Sequence, residues 1–370
     1  SSMVRDLTNG SVTKQLLVFA LPLAATSMLQ QLFNSTDVAV VGKFSGSDAL
    51  AAVGSTSSLI VLLINLFVGL SVGANVVIAT YIGRGTEKEI SGALHTSICV
   101  AAIGGAVMTV IGVFLAKPLL MLMGCPDDIL PLAVLYMKIF FLGMPFSMIY
   151  NFGASILRGK GDSKRPLYCL LVSGTANVGL NLLLVIVFDL SVAGVAIATV
   201  TANIINCVMM TFILTHEEGD FRLRFKELRI EKDHLVRILK IGIPSGIQGM
   251  VFSFSNVCIQ TALNSMGPSV IAGSAAAVNL EFFSFFIINA FVQTCTTFTG
   301  QNFGARRYDR CDKVIVRCMS IAIIADMCFI ALCIVLAEPV IHLFTTDPVV
   351  AGYAYDRMFH ILIVAPIAAT

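Results

Sequence analysis

The sequence carries an internal repeat, because it aligns with itself at an offset of 221 to 222 residues. Pro22 aligns with Pro244, and Gly83 aligns with Gly304. Both copies consist of long apolar segments. A duplicated unit of membrane-spanning helices is the usual architecture of a secondary transporter, with its site between the two halves. The repeat therefore predicts an all-α polytopic membrane protein.

The composition supports a membrane location. Hydrophobic residues make up 57% of the chain and charged residues 12%, about half the charged share of a soluble domain. The net charge of +2 gives no basic excess of the kind that binds nucleic acid. The ten cysteines lie mostly in apolar runs and lack metal-ligand spacing, so we expect neither a disulfide framework nor a cofactor.

Ten apolar runs are long enough to cross a bilayer, which takes about 20 residues in a helix. Several runs are longer than this, which predicts tilted or bent helices, and Pro22 is expected to bend the first. The runs are 15–41, 49–80, 90–116, 129–156, 166–188, 192–215, 238–263, 270–302, 314–336 and a tenth that begins near 352.

Basic residues lie on one side of the predicted spans. All but four of the 24 Lys and Arg fall at the N-terminus and in alternate loops, and the exceptions are Lys43, Lys117, Lys138 and Arg357. Cytoplasmic loops of membrane proteins are rich in Lys and Arg. We therefore expect a multi-pass protein of the inner (cytoplasmic) membrane, with its N-terminus in the cytoplasm.

Six spans per half return the chain to its starting side, so the sequence predicts two parallel six-helix repeats. We expect an N-terminal bundle (1–216), a cytoplasmic linker (217–237) and a C-terminal bundle (238–370). The run 133–145 aligns with 354–366, so the sequence ends within the tenth span. About 9.5 of twelve expected spans are then present, and we expect a whole protein of about 440 residues or more.

The linker has a basic and amphipathic sequence. Phe221, Phe225 and Leu228 would share one face of a helix, with basic residues outside it. Such a helix would lie on anionic lipid at the membrane surface. A solvated linker is the alternative, and the sequence leaves both open.

Polar residues at membrane depth predict a cation site. Asp37 lies in the first span, Asn177 and Asn181 share one face of the fifth, and Thr199 lies in the sixth. The helical rise places Asp37, Asn181 and Thr199 at comparable depths, about 6–12 Å below the outer surface. A carboxylate, two amide oxygens and a hydroxyl suit Na⁺, and a buried carboxylate can instead carry a proton. For Asp37 alone, an interfacial helix end is the alternative.

Two further acids lie in predicted spans of the second half. Glu281 lies toward the middle of the eighth span, where a functional role and a structural hydrogen bond are both open. For Asp326, in the ninth span, we favour a structural pair. Phosphate-binding and zinc-protease motifs do not occur, and the five histidines are scattered, which disfavours an intramembrane enzyme.

Four motifs appear in order along the chain. They are NSTDVAVVGK (34–43), LRGKGDSKRP (157–166), Asn177 and Asn181 followed by GVAIATV (194–200), and GQNFGARRYDR (300–310). With these motifs and the six-plus-six duplication, the chain resembles bacterial multidrug and toxic compound extrusion (MATE) transporters over essentially its whole length.

The resemblance implies roles for individual residues. Asp37 matches the first-span acid that binds H⁺ or Na⁺ in that family, and Asn177, Asn181 and Thr199 match its partners. Val195 is expected to offer a backbone carbonyl. Some members carry an aspartate in place of Asn181.

The resemblance is less complete in the second half. Certain members use acids of the seventh and tenth spans, but these positions align near Phe252 and at Ala368 here. Glu281 falls where an eighth-span acid recurs in the family, so it is the candidate for a second site.

By resemblance, the chain is expected to be an antiporter that expels organic, often cationic and amphiphilic compounds by alternating access, driven by inward Na⁺ or H⁺. We expect small-molecule substrates and membrane lipids as partners, no nucleic acid, and a monomer without enzymatic activity. The alternatives are a lipid-linked saccharide flippase of the same fold group, which would favour a strongly basic cavity, an intramembrane enzyme, and a channel.

Overall fold

The computed structural model describes residues 6–264, 268–339 and 348–368, and these residues contain helices and connections but no β-strand. The α-helices with described bounds are α1 (Val12–Phe44), α2 (Ser47–Arg84), α3 (Glu87–Phe114), α4 (Ala116–Leu122), α5 (Leu130–Leu142), α6 (Met144–Gly159), α7 (Lys164–Leu182), α8 (Val192–Thr215), α9 (Lys232–Asn264), α10 (Pro268–Gly304), α11 (Tyr308–Val335) and α12 (Pro348–Ala368).

Each predicted apolar run corresponds to one of these helices or to a pair of them. Within the described ranges, seven helices are long and apolar enough to cross a membrane, and α5 with α6 forms an eighth span bent by 47°. The bend lies at Gly143, and Pro145 follows it in the first turn of α6, where its missing N–H costs nothing. The short helix α4 was not predicted. The protein is therefore an all-α, multi-pass membrane protein.

Helix α1 continues through Pro22 without a break. Proline removes one backbone hydrogen bond from a helix interior. The carbonyl that loses its donor is that of Val18, four residues earlier, while the carbonyl of Pro22 itself accepts from the hydroxyl of Thr26 at 2.8 Å. A bend of α1 at Pro22 stays a prediction.

The linker 217–237 does not form the amphipathic helix that one interpretation required. It contains two 3₁₀ turns, Gly219–Phe221 and Phe225–Glu227, and α9 begins at Lys232. Phe221 is buried whereas Phe225 is exposed. The linker is not helical here because its backbone forms hydrogen bonds with side chains of α3.

Two of these bonds fix the linker on the first half. The backbone N–H of Arg224 donates to Nε2 of His95 at 3.1 Å, and that of Glu231 donates to the hydroxyl of Thr96 at 3.1 Å. The linker is therefore a strap along α3.

Helices α2 and α10 cross through reciprocal contacts. A Cβ on Gly83 would lie 1.9 Å from the carbonyl oxygen of Gln301, and a Cβ on Gly304 would lie 2.1 Å from that of Thr80. The repeat offset of 221 exchanges these two contacts with each other. A twofold axis along the helices produces contacts of this reciprocal kind. The crossing therefore agrees with a parallel repeat.

Helix α2 also packs along α9 through backbone contact. A Cβ on Gly69 would lie 2.3 Å from Cα of Gly246. The contact extends to Asn65, whose Nδ2 donates to the hydroxyl of Ser253 at 2.6 Å. Beyond Ser253, described side chains of α9 such as Phe254 are exposed. The two halves therefore meet along the part of α2 that leads to the basic loops, and they separate toward its other end.

The loops rich in Lys and Arg contact one another, and we call this end of the molecule the basic end. Gln301 Nε2 donates to the carbonyl oxygen of Gly159 at 2.9 Å, and Gln301 Oε1 accepts from the N–H of Leu7 at 3.2 Å. Asn302 and Arg310 donate to the carbonyl oxygen of Leu7 at 3.2 and 3.1 Å. The GQNFGARRYDR motif thus binds the segment before α1.

The LRGKGDSKRP motif forms the other side of the basic end. Lys160 and Arg165 both form ion pairs with Glu217, whose side chain is buried. The Lys160 ammonium also lies 4.5 Å from the ring centroid of Phe221. Lys160 is only 2% exposed, so this charge is compensated inside the protein rather than by water. Both loop motifs therefore hold the basic end closed.

Candidate functional site

The candidate site begins with a close approach of α1 and α7. A Cβ on Gly174 would lie 2.0 Å from the ring of Phe33, so only glycine admits the ring at this position. Asp37 lies one helical turn beyond Phe33. The approach therefore points Asp37 at the residues of α7 that follow Gly174.

Two asparagines of α7 hold the Asp37 carboxylate. Asn181 Nδ2 donates to Oδ1 of Asp37 at 2.6 Å, and Asn177 Nδ2 lies 3.4 and 3.5 Å from the two carboxylate oxygens. Asn181 is fully buried, Asn177 is 7% exposed and Asp37 is partly buried. The structure thus brings together three of the residues that the sequence predicted.

The amide oxygens of this cluster have no partner in the part of the chain that the structure describes. Oδ1 of Asn177 and Oδ1 of Asn181 are buried and accept no hydrogen bond from a described residue. A buried acceptor without a partner costs about 1–3 kcal/mol. None of the ion pairs among the described residues involves Asp37. One carboxylate and two unused amide oxygens therefore fit a small hard cation such as Na⁺.

The backbone after Asn181 departs from α-helical geometry. Residues Leu183–Val187 form a π-helical turn, which follows directly on α7. Such turns are rare and are frequent at functional sites. The turn widens α7 immediately after the residue that binds Asp37 most closely.

The other two predicted residues lie on α8. Val195 is 1% exposed and packs in one apolar cluster with Val40 and Val41 of α1. Thr199 is partly buried, and none of the hydrogen bonds found for Asp37 comes from its hydroxyl. The roles of Val195 and Thr199 stay predictions.

Tyr136 of α5 is a further residue of this region that the sequence analysis missed. It is 8% exposed and lies close enough to Asp37 to experience its charge. Its hydroxyl is a potential donor to a carboxylate or to a bound water. Periodicity alone gave no signal for it, because Tyr136 lies in a continuous apolar run.

In the second half, Glu281 has a basic partner. Arg357 of α12 donates from Nε to Oε1 of Glu281 at 2.9 Å and from Nη2 to Oε2 at 3.3 Å. Both side chains are mostly buried. Arg357 was one of the four basic residues outside the loops that the sequence predicted to be cytoplasmic. The offset of 221 aligns it with Tyr136, which is the signal that could have identified it.

Asp326 lies on α11 and is fully buried. Its Oδ1 accepts a hydrogen bond from the hydroxyl of Ser284 at 2.5 Å. Its Oδ2 has no partner among the described residues. The predicted pairing of Asp326 is therefore a hydrogen bond to α10.

The seventh-span position that carries an acid in some transporters is apolar here. Phe252 stacks on Phe285 of α10, with ring centroids 5.3 Å apart and planes inclined by 14°. The described part of the second half therefore lacks an acid at this position.

The comparisons of this chain with known proteins agree with one another. The profile of the MatE family matches residues 22–183 and 244–370. The chain is 28% identical over 345 residues to "Probable multidrug resistance protein YoeA" of Bacillus subtilis, covering 91% of this chain and 74% of that protein. It is 27% identical over 346 residues to "Probable multidrug resistance protein NorM" of Thermotoga maritima, covering 91% and 73%.

The fold is also shared with solved structures. A MOP superfamily transporter from Pyrococcus furiosus superposes with a TM-score of 0.90 at 22% identity, covering 98% of this chain and 81% of that chain. These relatives are transporters rather than enzymes. The family profile matches both halves of the repeat, so the chain belongs to the MatE family of multi-pass membrane transporters.

Proposed function

We propose that the protein is a cation-coupled antiporter that exports organic, often cationic and amphiphilic compounds. The observation that carries the proposal is the cluster of Asp37 with Asn177 and Asn181, where two buried amide oxygens have no partner among the described residues. The family relatives named as multidrug resistance proteins support the export of such compounds.

The cluster has the chemistry of a reversible cation site. The amide groups now donate to the carboxylate, and half a turn of each amide would present its oxygen instead. Asp37, Asn177 and Asn181, with Thr199 and the carbonyl of Val195 as further candidates, would then hold Na⁺. A proton bound by Asp37 would serve the same purpose, because either ion neutralises the carboxylate.

Coupling would follow from the arrangement of the two halves. The halves are in contact at the basic end and separate at the other, so the described conformation is closed on one side. Cation and substrate need to favour different conformations for one to drive the other. An inward cation gains about 2.3 kcal/mol per 100 mV of membrane potential, besides its own gradient.

Sidedness completes the proposal. Since Lys and Arg concentrate at the basic end, we place that end and the N-terminus in the cytoplasm, with the protein in the cytoplasmic membrane. The described conformation would then be closed toward the cytoplasm, with its separated end facing outward.

The proposal is tested with purified protein in liposomes that contain ethidium, under an imposed Na⁺ or H⁺ gradient. The wild-type protein should transport ethidium against its gradient with at least one of the two ions. Asp37→Asn should lose gradient-driven transport but keep ethidium binding, because the amide is nearly isosteric and removes only the charge.

Asp48→Asn is the matched control. It removes an exposed carboxylate near the start of α2, at the same end of the first half, and should transport like the wild type. Gradient-driven transport by Asp37→Asn at the wild-type rate would refute the coupling site. The alternative function, a lipid-linked saccharide flippase, predicts no ethidium transport by the wild type.

A further inference from the structure

The Glu281–Arg357 pair lies at membrane depth. Glu281 is 13 residues from the start of α10 and Arg357 is nine residues from the start of α12, which places them about 20 and 14 Å along their helices. The two hydrogen bonds of 2.9 and 3.3 Å form a side-on, bidentate contact, and the side chains are 17% and 16% exposed. Such geometry is the strongest form of a carboxylate–guanidinium contact.

The pair cancels two charges that would each be costly alone. Ionisable groups within a membrane span pair with one another or mark an ion path. An acid without a basic partner needs a proton or a mobile cation to be neutral. Glu281 already has a cationic partner, the guanidinium of Arg357, which is part of the same chain.

The first half differs at the equivalent position. The repeat places Tyr136 where the second half has Arg357, and Tyr136 lies near Asp37. A phenol is neutral, and Asp37 has no basic partner among the described residues. One half therefore has an acid that is open to an external cation, and the other half has an acid that is already neutralised.

We infer that Arg357 is a built-in counter-ion that occupies Glu281 and thereby excludes Glu281 from ion coupling. Of these two acids, only Asp37 is then open to the driving cation. This inference rests on the proposed function, because it takes Asp37 as the acid that binds the driving cation. It corrects the expectation that Glu281 forms a second cation site.

The test counts cation equivalents in four purified proteins: wild type, Asp37→Asn, Arg357→Gln and the double variant with both changes. The sodium arm uses binding of radioactive Na⁺. The proton arm measures the protons taken up between about pH 8 and pH 6. Each count is the difference from a matched variant in which the acid concerned is replaced, by Glu281→Gln or by Asp37→Asn. Relative to the wild type, we expect one equivalent fewer for Asp37→Asn, one more for Arg357→Gln and an equal number for the double variant.

The outcomes separate the two ideas. If Arg357→Gln binds no more equivalents than the wild type does, the counter-ion inference is wrong while the site at Asp37 stands. If Asp37→Asn retains the wild-type equivalent, the proposed function is wrong, whatever Arg357→Gln shows.

Arg357→Gln leaves a bare carboxylate in the membrane and could prevent folding. The neutral pair Glu281→Gln with Arg357→Gln decides that case. It should fold and should transport ethidium with the cation stoichiometry of the wild type. A folded neutral pair that has lost coupling, or one that does not fold either, would overturn the inference, since Glu281 would then act in transport or Arg357 in packing.

Discussion

Gly69→Ala tests whether the contact between α2 and α9 must open during transport. Gly69 lies against the backbone of Gly246, so no flexible side chain can move aside to admit a methyl group. The contact joins the two halves, and it does not belong to the packing within either of them. The substitution should therefore shift the conformational equilibrium without unfolding the protein.

The size of the shift follows from the distances. A Cβ at position 69 would lie 2.3 Å from Cα of Gly246, whereas ordinary contact begins at 3.4 Å, so the helices must separate by about 1.1 Å. Overpacking of this kind costs about 1–3 kcal/mol. The ratio of the closed to the open conformation at the basic end should therefore fall by about 5–150-fold. The intrinsic helix preference of alanine acts equally in both conformations and cancels.

Pulsed electron–electron resonance measures this shift directly. Spin labels are attached at Lys88→Cys and Lys313→Cys, two exposed positions at the basic end of the two halves, after replacement of the ten native cysteines. Gly69→Ala should add a population at longer distance and slow ethidium export.

The matched control is Gly54→Ala, in the same helix but with nothing within 4 Å of the new Cβ. It should leave the distances and the transport rate unchanged. Equal distance distributions for the two alanine variants would refute the reasoning.

Four further outcomes are expected. Asn181→Asp should still bind cations but should prefer protons to Na⁺, because two adjacent carboxylates do not both stay ionised. A variant whose Na⁺-driven export rises while its H⁺-driven export falls would contradict this. Gln301→Leu removes hydrogen bonds to Leu7 and Gly159, so the distance between the spin labels should increase as for Gly69→Ala. An unchanged distance would show that these hydrogen bonds do not hold the basic end closed. Glu281→Gln should reduce coupled export less than Asp37→Asn does, measured with the same liposomes. A membrane-impermeant thiol reagent should label Lys226→Cys only from inside and Lys117→Cys only from outside, since both positions are exposed and the reverse pattern would invert the topology.

The sequence was sufficient to predict the long membrane helices, because an apolar run of about 20 residues satisfies its backbone hydrogen bonds in a bilayer by forming a helix. Every predicted run corresponds to helical structure, and the offset that aligns Gly83 with Gly304 reappears as a reciprocal contact of α2 and α10. The linker could not be predicted in the same way. Phe221 and Phe225 have helical spacing, but the hydrogen bonds of the strap to His95 and Thr96 on α3 are contacts between distant parts of the chain.

The site was predicted in part for a related reason. Asn177 and Asn181 were identifiable because their spacing is local and because polar residues in a span are conspicuous. Tyr136 lies near Asp37, and Arg357 forms an ion pair with Glu281; since both relationships join different helices, local periodicity does not reveal them. Only a position-by-position comparison of the two copies of the repeat would have shown that a neutral residue in one half is replaced by a cation in the other.

Helix α1 connects the cluster around Asp37 physically to the contact between the halves. Near its start, Phe19 packs edge-to-face against Phe298 of α10, with ring centroids 5.7 Å apart. Near its end, Asp37 is bound by Asn181 of α7. Pro22 lies between these two ends, at a point where the helix lacks one backbone hydrogen bond and resists bending less. Under the proposed function, a cation at Asp37 would replace the hydrogen bond from Asn181, and α1 would carry that change to the surface where the halves meet. A cation at one end of α1 would then alter the stability of the closed basic end without touching it.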